Sequence, residues 1–292
     1  MYVKGERVGK LIIQIAPTGV IPTKQITPHV PITPDEIARD TYDAYRVGAS
    51  MVHVHARDEQ GVPTYRKEVF AEIFSKIREK CPDIIICATT SGRFNTAVEQ
   101  RAQVLDLRPE MATLSVGSVN FFDHPSINTP ETVQFLARRM RDLGIKPELE
   151  IFEAGFLNTA RYLVKKEILK HPLHFNLLLG SLGSIPADLR DLVYLVESVP
   201  SGNTWSGAGI GRFQNQINAA AILMGGHVRT GIEDALYMDD AQTTFATNKA
   251  LVERVVRIAD EFNREIATPD EAREILGIRS YVSKAGRIPH HL

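Results

Sequence analysis

Met51-Val52-His53-Val54-His55-Ala56-Arg57-Asp58 is the stretch of this sequence around which the rest can be arranged. Its apolar residues have strand character, and successive side chains of a strand point to opposite faces, so His53 and His55 project from the same face. Two imidazoles about 7 Å apart on one strand face can close on a single metal ion. In the alternative interpretation, each ring bonds a backbone carbonyl or a carboxylate, because a buried imidazole without a polar partner costs about 1 to 3 kcal/mol.

Strand-like and helix-like segments alternate along the whole chain. Eight short apolar runs, each separated from the next by a helix-sized segment, predict parallel strands joined by helical crossovers. Eight such units in about 250 residues match an α/β fold, the closed (β/α)8 TIM barrel. An open doubly wound sheet is the alternative, but no Gly-x-Gly-x-x-Gly follows the first run. The predicted strands are 11–16, 51–58, 84–88, 111–116, 147–152, 174–179, 203–209 and 226–230.

Helix starts are marked by two capping boxes, Thr33-Pro34-Asp35-Glu36 and Thr268-Pro269-Asp270-Glu271. Apolar spacing predicts further helices between the strands. Their ranges include 67–80, 95–107, 213–224 and 245–266. With no linker and no internal repeat, we expect one domain over residues 1–292, with a C-terminal extension at about 268–292.

The composition favours small-molecule chemistry. Of 292 residues, 43% are hydrophobic and 24% are charged, and the formal net charge is -1, so nothing suggests nucleic acid or an anionic membrane as a partner. Cys81 and Cys87 are spaced for neither a disulfide framework nor a Cys-based zinc site. Residues 1–7 lack a signal-peptide pattern, and no apolar run approaches the roughly 20 residues of a membrane helix. We therefore expect a cytoplasmic protein.

A candidate metal site lies at the predicted carboxyl end of the barrel, where such folds place their active sites. The eighth strand of a closed barrel neighbours the first, so Glu233 just beyond it can approach His53 and His55. Two imidazoles and one carboxylate are a catalytic zinc set, which also suits non-haem iron(II). Alternatively, Glu233-Asp234 is a helix N-terminus, where the dipole favours acids. Arg229 needs an anionic partner if it is buried.

Other polar residues near this end carry weaker predictions. Glu148 and Glu150 share one face of the fifth strand, and a carboxylate inside a barrel needs a positive or donating partner, from the substrate or from a residue such as Arg93. The Gly207–Arg212 turn can admit an anionic group at its amides, although turn geometry alone explains it as well. For His227 we expect a structural role or one that supports a ligand.

Four motifs occur together, in order, over nearly the whole chain. They are Pro31-Ile32-Thr33-Pro34-Asp35-Glu36-Ile37, His53-Val54-His55-Ala56-Arg57-Asp58, Pro147-Glu148-Leu149-Glu150 and Gly225-Gly226-His227-Val228-Arg229-Thr230-Gly231-Ile232-Glu233-Asp234. Together they resemble the β-keto acid cleavage enzymes. The resemblance implies a zinc-dependent (β/α)8 barrel with one zinc ion per chain, which exchanges acyl groups between a β-keto acid and acetyl-CoA to give acetoacetate and a new acyl-CoA. It also implies a homotetramer built from dimers.

The resemblance assigns roles residue by residue. The positions that match the zinc ligands are His53, His55 and Glu233. The pair that matches the acetyl-CoA-activating residues is Arg229 and Asp234, and we expect Asp234 to deprotonate the acetyl-CoA methyl group while Arg229 stabilises the enolate. The positions that fall where the family holds the substrate carboxylate are Thr89, Gly92 and Ser115. Glu150 falls where the typical member contacts the substrate amino group.

Two loops depart from the family pattern. Ile21-Pro22-Thr23 stands where many relatives have His-Thr-Pro, and Thr89-Thr90-Ser91-Gly92-Arg93 replaces a Ser-Thr-Gly-Gly pattern. Both loops are expected to face the substrate, so the chemistry carries over more safely than the identity of the keto acid. Two other functions stay open from the residues alone. One is a zinc-dependent barrel hydrolase, which would carry further histidines on later strands, and the other is a metal-free ligand-binding barrel with structural histidines.

Overall fold

Eight parallel strands close into a barrel in the computed structural model, which describes residues 9–93 and 97–278. Each strand pairs with the next one along the chain, and the last pairs with the first. The barrel strands are β1 Ile13–Ile15, β2 Met51–Val54, β3 Ile85–Ala88, β4 Met111–Ser115, β5 Lys146–Ile151, β6 His174–Leu179, β7 Thr204–Gly209 and β8 His227–Thr230. The predicted (β/α)8 barrel is confirmed.

The helices lie between the strands, as the apolar spacing predicts. They are α1 Pro34–Tyr45, α2 Lys67–Lys80, α3 Val98–Arg101, α4 Pro130–Leu143, α5 Ala154–Lys165, α6 Leu189–Ser198, α7 Gln214–Leu223, α8 Asn248–Glu261 and α9 Pro269–Leu276. Both predicted capping boxes, at Thr33 and Thr268, are formed. None of the helices in the described ranges is long and apolar enough to cross a membrane.

Two helices differ from their predicted ranges. The segment predicted as one helix over 95–107 has residues 94–96 outside the described residues, and it continues as α3 followed by a 3-10 helix at Ala102–Leu107. The helix predicted over 245–266 is shorter at both ends. It begins at Asn248 because the Thr247 side chain caps it, and Asn263 just beyond its end has a left-handed backbone that an α-helix does not continue through.

Two short antiparallel strand pairs stand outside the barrel. Ala56–Arg57 pairs with Pro63–Thr64 after β2, and Val119–Asn120 pairs with Pro125–Ser126 after β4. Both follow the carboxyl ends of barrel strands, so they extend the wall at that end of the barrel, called the mouth below.

The barrel interior is polar towards the mouth. Gln14 on β1 donates a hydrogen bond of 2.7 Å to Glu148 on β5, which lies on the opposite side of the barrel. Both side chains therefore point inward. Gln14 is also level with Arg229 on β8 in the strand register, so a charged residue lies beside it. Buried polar groups of this kind require partners, and their arrangement positions the candidate site.

The opposite end of the barrel, called the floor below, is covered by α9, which packs on apolar side chains. Ala272 and Leu276 of this helix pack with Ile12, Met51 and Met111 near the beginnings of three strands. The helix is the described part of the predicted C-terminal extension, and residues 279–292, with their basic side chains, lie outside the described residues.

Candidate functional site

Two histidines and a glutamate converge at the mouth. The Nε2 atoms of His53 and His55 lie 3.7 and 3.2 Å from the same Oε1 atom of Glu233. The two imidazole rings stand edge to face, with centroids 4.9 Å apart. One ligand-capable atom from each of the three residues lies within 4.8 Å of the others. The predicted approach of Glu233 to the His-x-His pair is therefore present in the structure.

Glu233 reaches this position because the turn after β8 is tightly held. Gly231 has a φ of +151°, and a side chain there would collide with the backbone of Ala16. The amide of Ile232 donates to Asn248 Oδ1 at 2.8 Å. A side chain at Gly19 would come within 2.6 Å of Glu233 Cγ, so the loop after β1 packs directly on this carboxylate.

The protonation of these residues suits a cation. Burial lowers the pKa of His53 well below its ordinary value, so the ring is neutral and has a lone pair to offer. Burial would raise the pKa of Glu233, but His55, Arg229 and His53 hold that pKa well below its ordinary value. Glu233 Oε2 is buried with no hydrogen-bond partner among the described residues, which costs about 1 to 3 kcal/mol. Two imidazoles and an ionised carboxylate are the donor set of a catalytic zinc site.

Arg229 and Asp234 form an ion pair beside this cluster. The guanidinium donates from Nε to Asp234 Oδ2 at 2.8 Å. Its Nη2 atom donates to Asp234 Oδ1 at 3.0 Å and to Glu233 Oε1 at 2.8 Å. Burial would lower the pKa of Arg229, but Asp234 and Glu233 raise that pKa well above its ordinary value. Burial raises the pKa of Asp234 against the opposing effect of Arg229. Adjacent carboxylates with pKa values shifted in opposite directions suit different chemical roles.

A cavity of about 800 Å³ opens over these groups. Residues from nearly every strand end line it. Those with predicted roles are His55, Thr89, Ser115, Glu150, Arg229, Glu233 and Asp234. A pocket that brings together a candidate metal-ligating set, an ion pair and polar side chains is the usual setting of an active site.

Comparison with known proteins identifies the family. A family model described as beta-keto acid cleavage enzyme matches residues 10–278. The chain belongs to the β-keto acid cleavage enzyme family. A 3-keto-5-aminohexanoate cleavage enzyme of Fusobacterium nucleatum subsp. nucleatum is 46% identical over 271 residues, covering 92% of this chain and 98% of that protein. A 3-oxoadipate:acetyl-CoA acetyltransferase of Cupriavidus necator is 37% identical over 272 residues, covering 92% of this chain and 95% of that protein.

Solved structures agree with the fold of this β-keto acid cleavage enzyme. Apo ObcA superposes with a TM-score of 0.77 at 21% sequence identity, over 86% of this chain and 66% of ObcA. At that identity the similarity extends to the barrel architecture alone.

Not every residue expected to contact substrate lines the cavity. Gly92, predicted to help hold the substrate carboxylate, is buried against Arg101, and a side chain at Gly92 would meet the guanidinium at 2.5 Å. Arg101 donates to the carbonyl of Thr90 at 2.8 Å and to Asn128 Oδ1 at 2.6 Å. This arginine therefore supports from behind the loop that carries Thr89, which does line the cavity.

The two glutamates of β5 have different partners. Glu150 accepts a short hydrogen bond from Ser115 in the cavity wall, whereas Glu148 lies deeper and bonds Gln14. Burial raises the pKa of Glu148 to about 7. Arg93, the alternative partner expected for these glutamates, instead pairs with Asp123 at 2.7 Å. Arg93 and Glu150 both line the cavity, but the structure shows no ion pair between them.

The remaining histidines lie elsewhere. His174 on β6 and His227 on β8 have ring centroids 6.3 Å apart at the floor, and His227 Nδ1 accepts the amide of Ile12 at 3.1 Å. His227 therefore has a structural role, which is one of the two roles expected for it, and it does not support a ligand of the site. His174 is the later-strand histidine that a barrel hydrolase could have used, but it takes no part in the site.

Several supporting residues had no sequence prediction. Arg57 donates bonds of 3.0 Å to the carbonyls of Gly19, Pro22 and Gly61, which fastens the loop after β1 over the site. A charged residue at the end of a barrel strand indicates a functional role, but nothing in the sequence indicates that Arg57 binds the backbone of a neighbouring loop. Asn248 resembles an ordinary helix start in the sequence, yet it is fully buried and bonds Ile232 and Pro17.

Proposed function

We propose that this chain condenses a β-keto acid with acetyl-CoA to give acetoacetate and a new acyl-CoA, with one zinc ion held by His53, His55 and Glu233. The observation that carries the proposal is the placement of this ligand set beside the Arg229–Asp234 pair under one cavity. The relatives are named for cleavage of, or acetyl transfer with, keto acids, which agrees with that chemistry. The single domain, the homotetramer and the cytoplasmic location stay predictions.

The metal ion supports the reaction by its charge. When bound, zinc acts as a Lewis acid that polarises carbonyl oxygens of the keto acid and stabilises the negative charge that develops on them. The residues that hold it are prepared for a cation, since the imidazole of His53 is neutral and Glu233 is ionised. No step requires these three residues to exchange protons.

The products indicate which carbon loses a proton. Acetoacetate must contain the acetyl group of acetyl-CoA joined to the CH2–COO⁻ part of the keto acid, so the new carbon–carbon bond forms between C2 of the keto acid and the thioester carbonyl. Attack by an acetyl-CoA methyl carbanion on the ketone would instead release acetate. We therefore assign to Asp234 the removal of a proton from C2 of the keto acid. This assignment differs from the one expected from the resemblance, in which Asp234 deprotonates the methyl group of acetyl-CoA.

The rest of the reaction balances without a further reagent. Attack of C2 on acetyl-CoA expels the CoA thiolate, and that thiolate then adds to the original ketone carbon. Cleavage of the bond between this carbon and C2 gives the new acyl-CoA, and the electron pair left on C2 takes back the proton from Asp234. The third guanidinium nitrogen of Arg229 is buried with no partner among the described residues, so it can donate to an oxygen that becomes negative.

Cavity-lining polar groups can bind the ends of the keto acid. Thr89 offers a hydroxyl near the ligand set, as expected for binding the substrate carboxylate. Glu150 lies in the wall with Ser115 as its protein partner. No cationic side chain pairs with Glu150 within the described ranges, so a cationic group on the substrate can serve as its counter-ion. We propose a short β-keto acid with an amino group at its far end.

The test is a substrate screen of purified protein with acetyl-CoA and a panel of β-keto acids, following acetoacetate. Amino-bearing keto acids are expected to react faster than unsubstituted or carboxylated ones, and Glu150→Gln should remove most of that preference by raising KM. Glu153→Gln is the matched control, because Glu153 is exposed at the start of α5 and does not line the cavity. Equal rates for amino-bearing and aliphatic keto acids, unchanged in Glu150→Gln, would disprove the substrate assignment.

A further inference from the structure

Beneath the ligand set lies a group of buried side chains that the proposed reaction leaves unused. Gln14 donates through Nε2 to Glu148 Oε2 at 2.7 Å. Ligand-capable atoms of His53, Cys87 and Glu148 lie within 4.8 Å of one another. These four residues are each at most 1% exposed, so bulk water cannot satisfy their polar atoms. The group connects β1 and β5 to the histidine-bearing strand across the interior.

Three atoms of this group have no hydrogen-bond partner within the described part of the chain. They are Nδ1 of His53, Oε1 of Glu148 and Oε1 of Gln14, the last belonging to the amide that already donates to Glu148. The Nε2 atom of His53 is turned towards Glu233, at 3.7 Å. A neutral imidazole that offers its Nε2 lone pair to a metal carries its hydrogen on Nδ1, and that N–H needs an acceptor. The free oxygen of Glu148 is an acceptor of the required kind, and ligand-capable atoms of the two residues lie within 4.8 Å of each other, although no hydrogen bond joins them in the structure.

We infer that Glu148 is a positioning residue whose carboxylate accepts the Nδ1–H of His53, and that Gln14 holds this carboxylate in place. The inference rests on the proposed function only in taking His53 as a metal ligand. The hydrogen bond fixes the tautomer and the orientation of the ring, which keeps the Nε2 lone pair directed at the metal. Loss of such a supporting acceptor typically weakens metal binding by about 10- to 100-fold.

Cys87 is the other group close to Glu148, and it provides the rival explanation. A metal ion could occupy the set formed by His53, Cys87 and Glu148 in place of the upper set. In that case the sulfur of Cys87 would be a ligand, and its removal would weaken metal binding. In the arrangement we infer, Cys87 is a small apolar neighbour with a weak S–H donor, and its removal leaves the metal ligands unchanged.

The test measures zinc affinity by competition with a chromophoric chelator, in the absence of substrates. Glu148→Leu should bind zinc about 10- to 100-fold more weakly than the wild type, and Gln14→Leu should show a smaller loss. Cys87→Ala should keep the wild-type affinity. Glu150→Gln changes a carboxylate on the same strand face and should also keep it. Circular dichroism and thermal melting establish that each variant is folded, and Gln14→Leu keeps the test decisive if Glu148→Leu does not fold.

Nitrogen-15 NMR of the zinc-loaded protein provides a readout that a packing defect would not produce. The wild type should show a protected Nδ1–H resonance for His53, which Glu148→Leu loses and Glu148→Gln retains, because the amide oxygen can still accept. Unchanged zinc affinity and an unchanged resonance in Glu148→Leu would overturn the inference, as would weaker zinc binding in Cys87→Ala. A wild type that binds no zinc overturns the inference together with the metal part of the proposed function. Tight zinc binding without acetoacetate formation overturns the function alone.

Discussion

The barrel holds histidines at both of its ends, and the two sets have different partners. At the mouth, His53 and His55 face the carboxylate of Glu233 within 3.7 Å, and His55 and Glu233 border a cavity. At the floor, His174 and His227 lie beside each other with no carboxylate in contact among the described residues. All four histidines are buried. The difference is that an anionic side chain arrives only at the mouth.

The partners of the floor histidines explain why they are structural. His174 Nδ1 lies 2.9 Å from the hydroxyl of Thr204, and His227 Nδ1 accepts a backbone amide. Burial lowers the pKa of His174 to about 3, with Lys146 adding to the shift, and burial lowers the pKa of His227 well below its ordinary value. These rings are neutral hydrogen-bonding groups. A histidine pair thus becomes a candidate metal site when a carboxylate and an open cavity accompany it.

The strongest test of this comparison substitutes one histidine at each end of the barrel. His53→Ala should lose bound zinc and all detectable acetoacetate formation while the barrel stays folded, because two ligands cannot hold the metal as three do. His227→Gln should keep one zinc per chain and keep its activity. Elemental analysis of untagged protein and the acetoacetate assay provide the measurements. Full zinc occupancy in His53→Ala, or zinc loss in His227→Gln, would remove the distinction between mouth and floor.

A second test separates two roles within the mouth. Asp234→Asn should retain zinc and keto acid binding but form acetoacetate about 100 to 10,000 times more slowly, the usual contribution of a positioned base. Deuterium exchange at C2 of the keto acid, measured by NMR without acetyl-CoA, should slow by a similar factor. Loss of zinc from Asp234→Asn would show that Asp234 is a ligand. Wild-type exchange would show that another group is the base.

The sequence predicted the mouth better than the contacts that support it. Alternation of strands and helices predicts the barrel, and closure of a barrel brings Glu233 to His53 and His55. Gln14 and Asn248 were missed because their roles depend on residues distant in the chain. Asn248 bonds the carbonyl of Pro17 across a sequence separation of 231 residues, and no local pattern encodes such a contact.

Similar limits apply to side chains in the loops. The sequence leaves two alternative partners for the glutamates of β5, the substrate and a residue such as Arg93. The structure pairs Arg93 with Asp123 and places its guanidinium 4.2 Å from the ring centroid of Phe121. The direction of the Arg93 side chain within its loop decides which residue it pairs with, and residue spacing in the sequence does not predict that direction. Gly92 leaves room for Arg101, a packing role that the sequence does not indicate, and its contact with substrate stays a prediction.

The floor histidines should make the barrel sensitive to acid. Their pKa values are lowered in the folded state, so the unfolded chain binds protons first, and stability is lost as the pH falls below the unfolded value of about 6.5. Each histidine should contribute a loss of about 2 kcal/mol in the free energy of unfolding between pH 7.5 and pH 5. The double variant His174→Gln/His227→Gln should therefore lose about 4 kcal/mol less than the wild type over that range.

Urea unfolding of metal-free protein at both pH values measures this difference, and it cancels the contribution of His53, which both proteins share. Lys146 and Arg264 are the cations that act on the floor rings, and both remain in the variant. Equal pH dependence in the two proteins would mean that the floor rings are charged or exposed in the folded state, contrary to their assignment as neutral structural groups.

The smallest effect concerns how the mouth is held from outside the barrel. Asp40 accepts a short hydrogen bond from Asn248 Nδ2, which also donates to the carbonyl of Pro17, while Asn248 Oδ1 accepts from the amide of Ile232 next to the site. Burial raises the pKa of Asp40 to about 6 from 3.8, so this group favours the folded state at low pH, and that contribution is lost as the pH rises through 6. Asp40→Asn should therefore stabilise the protein by about 1 to 3 kcal/mol at pH 8, with the gain shrinking towards zero near pH 4.

The amide oxygen that Asp40→Asn introduces can still accept a hydrogen bond from Asn248, so bound zinc should stay at one per chain. Urea unfolding of the variant and the wild type at pH 8 and pH 4, with zinc analysis of both, measures the outcome. A variant that is less stable than the wild type at pH 8 would mean that the ionised carboxylate itself anchors Asn248. The turn that carries Glu233 would then depend on a charge outside the barrel. The mouth would in that case be held by a charged group, whereas the floor histidines are held by neutral hydrogen-bond partners.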